Sequence, residues 1–329
     1  MSTSTPDLIR RLASVQDAEL LGEHESRRAR ELFERIVAEP RPRRGRKAPR
    51  RRRARLVAIP LASLAAVIVA IVLVLGGSHA TERASAATAL RHVARVAAAQ
   101  EPLVVGPGQY LYTKSIDAYT TTSVGTTAAT TWTALLPQVR ETWLGHDGGR
   151  LHTTRGTPSF LSERDHARWV AAGRPEVTGS PEEIDLPPLR PVALPDDATT
   201  LYAKLAHDTI SFGDRQYVEM FTLVGDALRE TNATPAQRAA LYTVASELPG
   251  VDLVGPVKDS LGRAGIAVAM DDEENRMRQT LVFDPNSSKL LEEREVTLAR
   301  NSFGYPPGTQ IGSATYVTQA VVDSKTATP

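Results

Sequence analysis

The sequence predicts an α+β fold. One transmembrane helix leads into an extracytoplasmic antiparallel sheet, open or curled into a half-barrel, with helices packed on one face. Three observations carry that expectation. Residues 56–75, LVAIPLASLAAVIVAIVLVL, run without a charge, and at about 1.5 Å of rise each they span roughly 30 Å, the thickness of a bilayer's hydrocarbon core. Downstream, strand patterns come first, helical patterns in the middle and strand patterns last, an order that sets helices against an antiparallel sheet. Neither a βαβ alternation nor a repeat of fixed period interrupts it.

The chain opens on Thr5-Pro6, an N-cap followed by proline at the first helical position. Leu8, Leu12 and Val15 recur at helical spacing, and Gly22 is a stop. A second helix over 25–38 places Ala29, Leu32, Phe33, Ile36 and Val37 on one side, until Pro40 and Pro42 end it. Two short helices, residues 1–40, are too small to bury these stripes alone. They read either as a loose juxtamembrane hairpin or as a face awaiting a cytoplasmic partner, with Leu8, Leu12, Ala29, Leu32, Phe33, Ile36 and Val37 as the contact residues.

Residues 41–55 then carry ten basic side chains and no acid. By the positive-inside rule this run keeps the N-terminus in the cytoplasm and sends the C-terminal domain outside. Abutting an apolar segment, it reads as an anchor for anionic lipid headgroups rather than for nucleic acid. Within the span, 56–76, thirteen of the residues 56–75 are Leu, Ile or Val, favouring insertion by about 4–8 kcal/mol. Pro60 falls in the first turn, where a missing amide costs least. A cleaved signal peptide with Ala84-Ser85-Ala86 as its site is the rival, but the leader and apolar core are too long for it.

Charge separates the compartments. Residues 1–55 hold 16 Lys and Arg against 8 Asp and Glu, a net +8, while the remainder holds 23 against 30, a net −7. The absence of cysteine excludes disulfides, cysteine–zinc sites and thiol chemistry. Some 250 residues follow the span, enough for one good core or two small ones.

Past the span, an alanine-rich helix over 81–100 forms a connecting segment, 77–103, closed by Pro102. The external domain, 104–322, starts with a strand over 109–116 after the breakers Gly106-Pro107-Gly108. The Thr-rich stretch 120–133 is either a strand edge or a loop. Strands over 138–144 and 150–154 flank Asp147-Gly148, a hairpin signal. A short helix runs from Ser162 to Gly173, and six prolines make 173–197 a loop. Helices follow over 197–207, 215–230 and 235–248, the last capped by Thr234-Pro235. A meander of strands over 251–254, 265–270, 278–283 and 290–298 is punctuated by turn-formers. A final strand, 314–322, ends in a tail, 323–329, expected to fray and lack order.

Candidate chemistry is sparse. His146 and His152 flank the Asp147 turn and could face each other as metal ligands. Asp271-Asp272-Glu273-Glu274 could attract calcium but lacks a recognised ligand spacing, and reads as a solvated hairpin tip. Glu163, Asp165 and His166 pair an acid with a base on a short helix without a nucleophile motif. No nucleophile elbow, phosphate cradle or zinc-protease motif occurs. The expectation is a non-enzymatic protein with no cofactor and no metal. Trp132, Trp143 and Trp169, with Tyr110, Tyr112 and Tyr119, read as sheet core and rim, or as the lining of an apolar groove for lipid or peptide.

Several segments carry a resemblance. They are Leu248-Pro-Gly-Val-Asp-Leu-Val-Gly-Pro256, Gly262-Arg-Ala-Gly-Ile-Ala-Val268, Gln279-Thr-Leu-Val-Phe-Asp-Pro285 and Leu290-Leu-Glu-Glu-Arg294, set behind the arginine cluster and the span. In this order the chain resembles an uncharacterised family of actinomycete single-pass membrane proteins, often encoded near extracytoplasmic-function sigma factors. The resemblance implies an anti-sigma-like role; the cysteine–histidine zinc motif of many anti-sigma factors is absent. A second, weaker similarity, through Gln109-Tyr110-Leu-Tyr112 and the hairpin at Asp284-Pro285, is to half-barrel sensors and carriers of lipoproteins. The expected function is therefore an envelope sensor or anti-sigma-like regulator at the cell membrane, partnered by the lipid bilayer and a cytoplasmic sigma factor or other regulator. The alternative is a membrane-anchored module that binds an envelope lipid or protein ligand.

Overall fold

The computed structural model describes residues 79–329, apart from 124, 126, 128, 129, 178, 180, 230, 231 and 300–304. The expected helix pair, basic run and span, with the stripe residues Leu8, Leu12, Ala29, Leu32, Phe33, Ile36 and Val37, lie outside the described residues. Among the described residues no helix is long and apolar enough to cross a membrane.

The expected α+β class is what the structure has. The chain runs α1 (His79–Ala98), β1 (Tyr110–Ser123), β2 (Trp132–Gly145), β3 (Gly148–Arg155), β4 (Ser159–Phe160) and α2 (Glu163–Ala171). It continues through β5 (Glu183–Leu186), α3 (Ala198–Asp208), a 3-10 turn (Ile210–Arg215), α4 (Gln216–Leu228) and α5 (Pro235–Glu247). It closes with β6 (Val251–Lys258), β7 (Ala264–Asp272), β8 (Met277–Phe283), β9 (Leu290–Thr297) and β10 (Gln310–Val322). All strands join one sheet in the order β5-β3-β2-β1-β10-β9-β8-β7-β6, with β4 paired to β2. Every pairing is antiparallel. The pairing of β1 with β10 joins an N-terminal set of strands to a C-terminal meander.

Local chemistry explains the boundaries. Gly145 pairs with Gly148 across a two-residue turn, and Gly148 takes a φ of +113°, open to glycine alone without strain. Ser162 and Asp197 accept from backbone amides at the starts of α2 and α3. Thr234 and Gln237 form a reciprocal capping box on α5, with Pro235 at its first position.

One face of the C-terminal strands carries the main core. Ile266, Val268, Met270, Leu281 and Phe283 alternate along β7 and β8 and meet Met220, Phe221 and Val224 of α4 and Leu241, Tyr242 and Val244 of α5. Tyr242 sits edge-on to Phe283 with ring centres 5.0 Å apart, and its hydroxyl donates to the Ser288 carbonyl at 2.5 Å. Burial pushes that hydroxyl up to about 12. Helix α1 joins the same core through Ala86, Ala89, Leu90, Val93, Ala94 and Ala97, a stripe at three- and four-residue spacing. The segment expected to connect is therefore also a core element, packed on α5 and β6.

Three further expectations change. The Thr-rich stretch divides into the end of β1, a tip and the start of β2. The proline-rich loop contains β5, held to four residues between Pro181 and Pro187 and paired to the edge of β3. The tail expected to fray folds back on β1 and β2: the Trp143 indole N–H donates to the Ala327 carbonyl at 2.7 Å, and Gln109 donates to Asp323 at 3.0 Å. A buried indole needs an acceptor, and the tail supplies it.

Candidate functional site: a polar band on the helix-bearing face

Residues paired directly across strands share a face, so the registers define rows. One row reads Gln138, Asp117, Ala314, Glu293, Leu281 from β2 to β8, and the next reads Leu136, Tyr119, Gly312, Glu295, Gln279. A third reads Thr153, Arg140, Ser115, Tyr316. Leu281 belongs to the core under α4, so all three rows lie on the helix-bearing face. Where the C-terminal strands present apolar residues there, β1, β2 and β9 present acids, guanidiniums and hydroxyls.

Helix α4 reaches the band at its end. Thr222 donates to Gln279 at 2.9 Å. Two turns on, just past the end of α4, Arg229 bonds Asp226 and lies 3.2 Å from Glu293 Oε2. Tyr316 donates to Glu293 Oε1 at 2.8 Å. On the other side of β10, Arg140 lies 3.5 Å from Asp117. Burial works against the charge on Arg229, but Asp226 and Glu293 outweigh it and raise its pKa.

The small residues of β10 form the middle of the band. A Cβ on Gly312 would stand 2.8 Å from the Tyr119 ring and 3.0 Å from Glu295 Oε2; glycine is what lets both side chains lean over that strand. Glu295 makes no hydrogen bond or salt bridge with any described residue, and it keeps partial exposure, as do Tyr119 and Tyr316. Burial, then the charge on Glu293, pushes the Glu295 carboxyl up to about 7, with Arg229 opposing. The Tyr119 phenol is raised too, by burial first and Glu293 second. Deeper in, the hydroxyls of Ser115, Thr142 and Thr153 are buried with no hydrogen-bond partner among the described residues. Ser115 is only 1% exposed. Chemically, the band gathers one acid with no ion pair among the described residues, aromatic rings, and hydroxyls without a partner among the described residues.

The sites expected from sequence disperse. His146 Nε2 lies 2.9 Å from the Val105 carbonyl, whereas His152, opposite Glu141 on β3, contacts Glu183 at 2.7 Å. The turn does not bring the two rings together. Among the described residues no group of three or more histidines and acids could hold a metal. In the acidic hairpin, Asp271 is bonded by Arg278 and Asp272 by Arg215, at 2.5 and 2.9 Å. The Asp165 carboxylate accepts from the hydroxyl of Ser162, the N-cap of α2, and from buried Tyr305 at 2.5 Å. Trp132 packs with Leu136, Phe160 and Trp169, and Trp143 with Tyr110 and Tyr112.

No protein-family model matches the chain, and no curated protein matches it. Among solved structures, it is similar to MucB in complex with MucA(peri), at 10% identity and a TM-score of 0.22 over 73% of this chain. The chain covers 56% of the length of that structure's chain.

Sequence reading missed the polar band. Its signal is faint: Asp117 lies between Ile116 and Ala118 inside a strand, and Glu292-Glu293-Arg294-Glu295 interrupts the expected alternation of β9. Which acids would meet was a matter of strand pairing.

Proposed function

We propose that this chain is a non-enzymatic, single-pass envelope sensor or anti-sigma-like regulator, its external α+β domain coupled through residues 56–76 to a cytoplasmic partner held by the stripe Leu8, Leu12, Ala29, Leu32, Phe33, Ile36 and Val37. The observation that carries the reading is α1. It begins at His79, directly after the apolar stretch, and its buried stripe from Ala86 to Ala97 belongs to the main core. A passive anchor needs only a loose tether. A helix locked into the core passes a rearrangement of the domain to the segment before it, because packed elements shift as units.

The test is a crosslinked pull-down from native membranes, comparing the full chain with one lacking residues 1–40 but keeping the basic run. A sigma factor or other regulator recovered only with the full chain, and lost in Leu32→Glu/Phe33→Glu, is the expected result. Recovery of the same envelope proteins by both chains, with nothing cytoplasmic, would overturn the reading in favour of an anchored lipid- or protein-binding module.

A further inference from the structure

Segment 323–329 lies on the face of the sheet turned away from the helices. Tyr112, Trp143 and Arg150 pair in one row, one residue out of step with the row of Ser115, Arg140 and Thr153, and so belong to that other face. There Tyr110, Tyr112 and Trp143 form an aromatic floor, and Ala327 packs on it. The floor holds the segment at three points. The Trp143 indole donates to the Ala327 carbonyl at 2.7 Å. The Arg150 guanidinium, fixed by two bonds to Glu183, donates to the Lys325 carbonyl at 3.4 Å. The Lys325 ammonium stands 5.4 Å from the centre of the Tyr110 ring and 3.8 Å from the Asp147 carboxylate.

All three holds come from side chains of the sheet. The segment's own main-chain bond, from the Ala327 N–H to the Ser324 carbonyl at 3.3 Å, closes a turn within itself. Thr326, Thr328 and Pro329 are exposed. A piece attached in this way opens at far lower cost than a strand in the ladder. Once it lifts, the Trp143 indole has lost its acceptor and Asp147 its cation, and a buried indole needs an acceptor. What fits the vacated floor is what left it: two peptide carbonyls, one ammonium and a small apolar side chain.

We propose that the floor of Tyr110, Tyr112 and Trp143 is a peptide-recognition site and that segment 323–329 is its built-in competitor, a strap that swings off to admit a partner protein's peptide turn bearing a lysine two residues before a small residue. The tether holds the strap at an effective concentration of about a millimolar. The partner must therefore bind more tightly than the strap, which sets the threshold for its entry.

The experiment is fluorescence anisotropy of a labelled peptide of residues 323–329, titrated with the full chain in detergent and with the same chain lacking 323–329. Saturable binding to the shortened chain is expected, with binding to the full chain about ten-fold weaker because the strap competes. Lys325→Glu in the peptide, or Trp143→Phe in the shortened chain, should lower affinity about ten-fold. Tyr217→Ala, on α4 across the sheet, should leave it unchanged. No saturable binding, equal binding by the two chains, or equal binding of the Lys325→Glu peptide would each overturn the proposal. Should the shortened chain melt early, trypsin digestion of the native full chain decides. Cleavage after Lys325, read by mass spectrometry, is expected at denaturant concentrations well below the unfolding midpoint. Cleavage there only as the whole domain unfolds would make the segment a fixed part of the fold and overturn the proposal. Both readouts work without any cytoplasmic partner, so their outcome is separate from that of the pull-down.

Discussion

The helix-bearing face of this sheet is one continuous surface with two characters. Over β6, β7 and β8 it is sealed by α1, α4 and α5 with leucine, valine, phenylalanine and methionine. Over β2, β1, β10 and β9 the same face buries Arg140, Asp117, Ser115, Thr142 and Glu293. The first half is what hydrophobic burial alone would choose, at about 25 cal/mol for each Å² removed from water. The second half does not follow from stability, because buried charges cost about as much to desolvate as their pairing returns. One half holds the fold, and the other carries charges and hydroxyls that hydrophobic burial alone would not select.

The contrast can be sharpened by substitution, beginning with the largest effect. Phe283→Ala opens a cavity beneath Tyr242 and should lower unfolding free energy by about 3–5 kcal/mol in chemical denaturation. Leu90→Ala should cost about 2–4 kcal/mol if α1 is the core element its burial indicates, and near zero if it is a tether. Arg229→Ala removes a buried cation that both Asp226 and Glu293 contact, and should cost about 3 kcal/mol, a loss that Arg229→Met shares because the acids remain.

Glu295→Gln should behave in the opposite sense. The folded carboxyl, raised to about 7 from its ordinary 4.5, binds a proton more tightly than in the unfolded chain. Its contribution to stability is therefore fully present below about pH 4.5 and is lost as pH rises through 7. Glutamine removes that loss, so thermal melts at pH 8 should show a gain of about 1 kcal/mol after allowing for solvent screening, with almost none at pH 5. Smallest of all, Thr142→Val should be neutral or stabilising by up to about 0.5–1 kcal/mol, since it removes a hydroxyl that bonds to no described residue. A marked loss instead would mean that the hydroxyl is hydrogen-bonded in the folded protein.

Much of the fold was legible in the sequence, for local reasons. Thr234-Pro235 and Ser162 announce helix starts because a side-chain oxygen and a fixed φ act within one turn. Asp147-Gly148 announces a hairpin because its turn geometry admits few residues. The C-terminal meander was readable from alternating apolar residues and short turn clusters. These signals act over ten or twenty residues, so the chain alone determined the class and the order of the main elements, while the place of α1 in the core and of β5 at the sheet edge emerged only in the structure.

Strand order and the site were decided elsewhere. Nothing local tells Tyr110 that Val322 lies opposite, yet that pairing sets β10 in the middle of the sheet. It also brings Asp117 and Tyr119 into line with Glu293 and Glu295, which are distant in sequence. The tail's fold-back has the same cause, since its acceptor for Trp143 lies 184 residues away. Turns and caps follow from the local chain, but long-range pairing is chosen by the burial it permits over the whole sheet, and only the tertiary structure decides which charges meet.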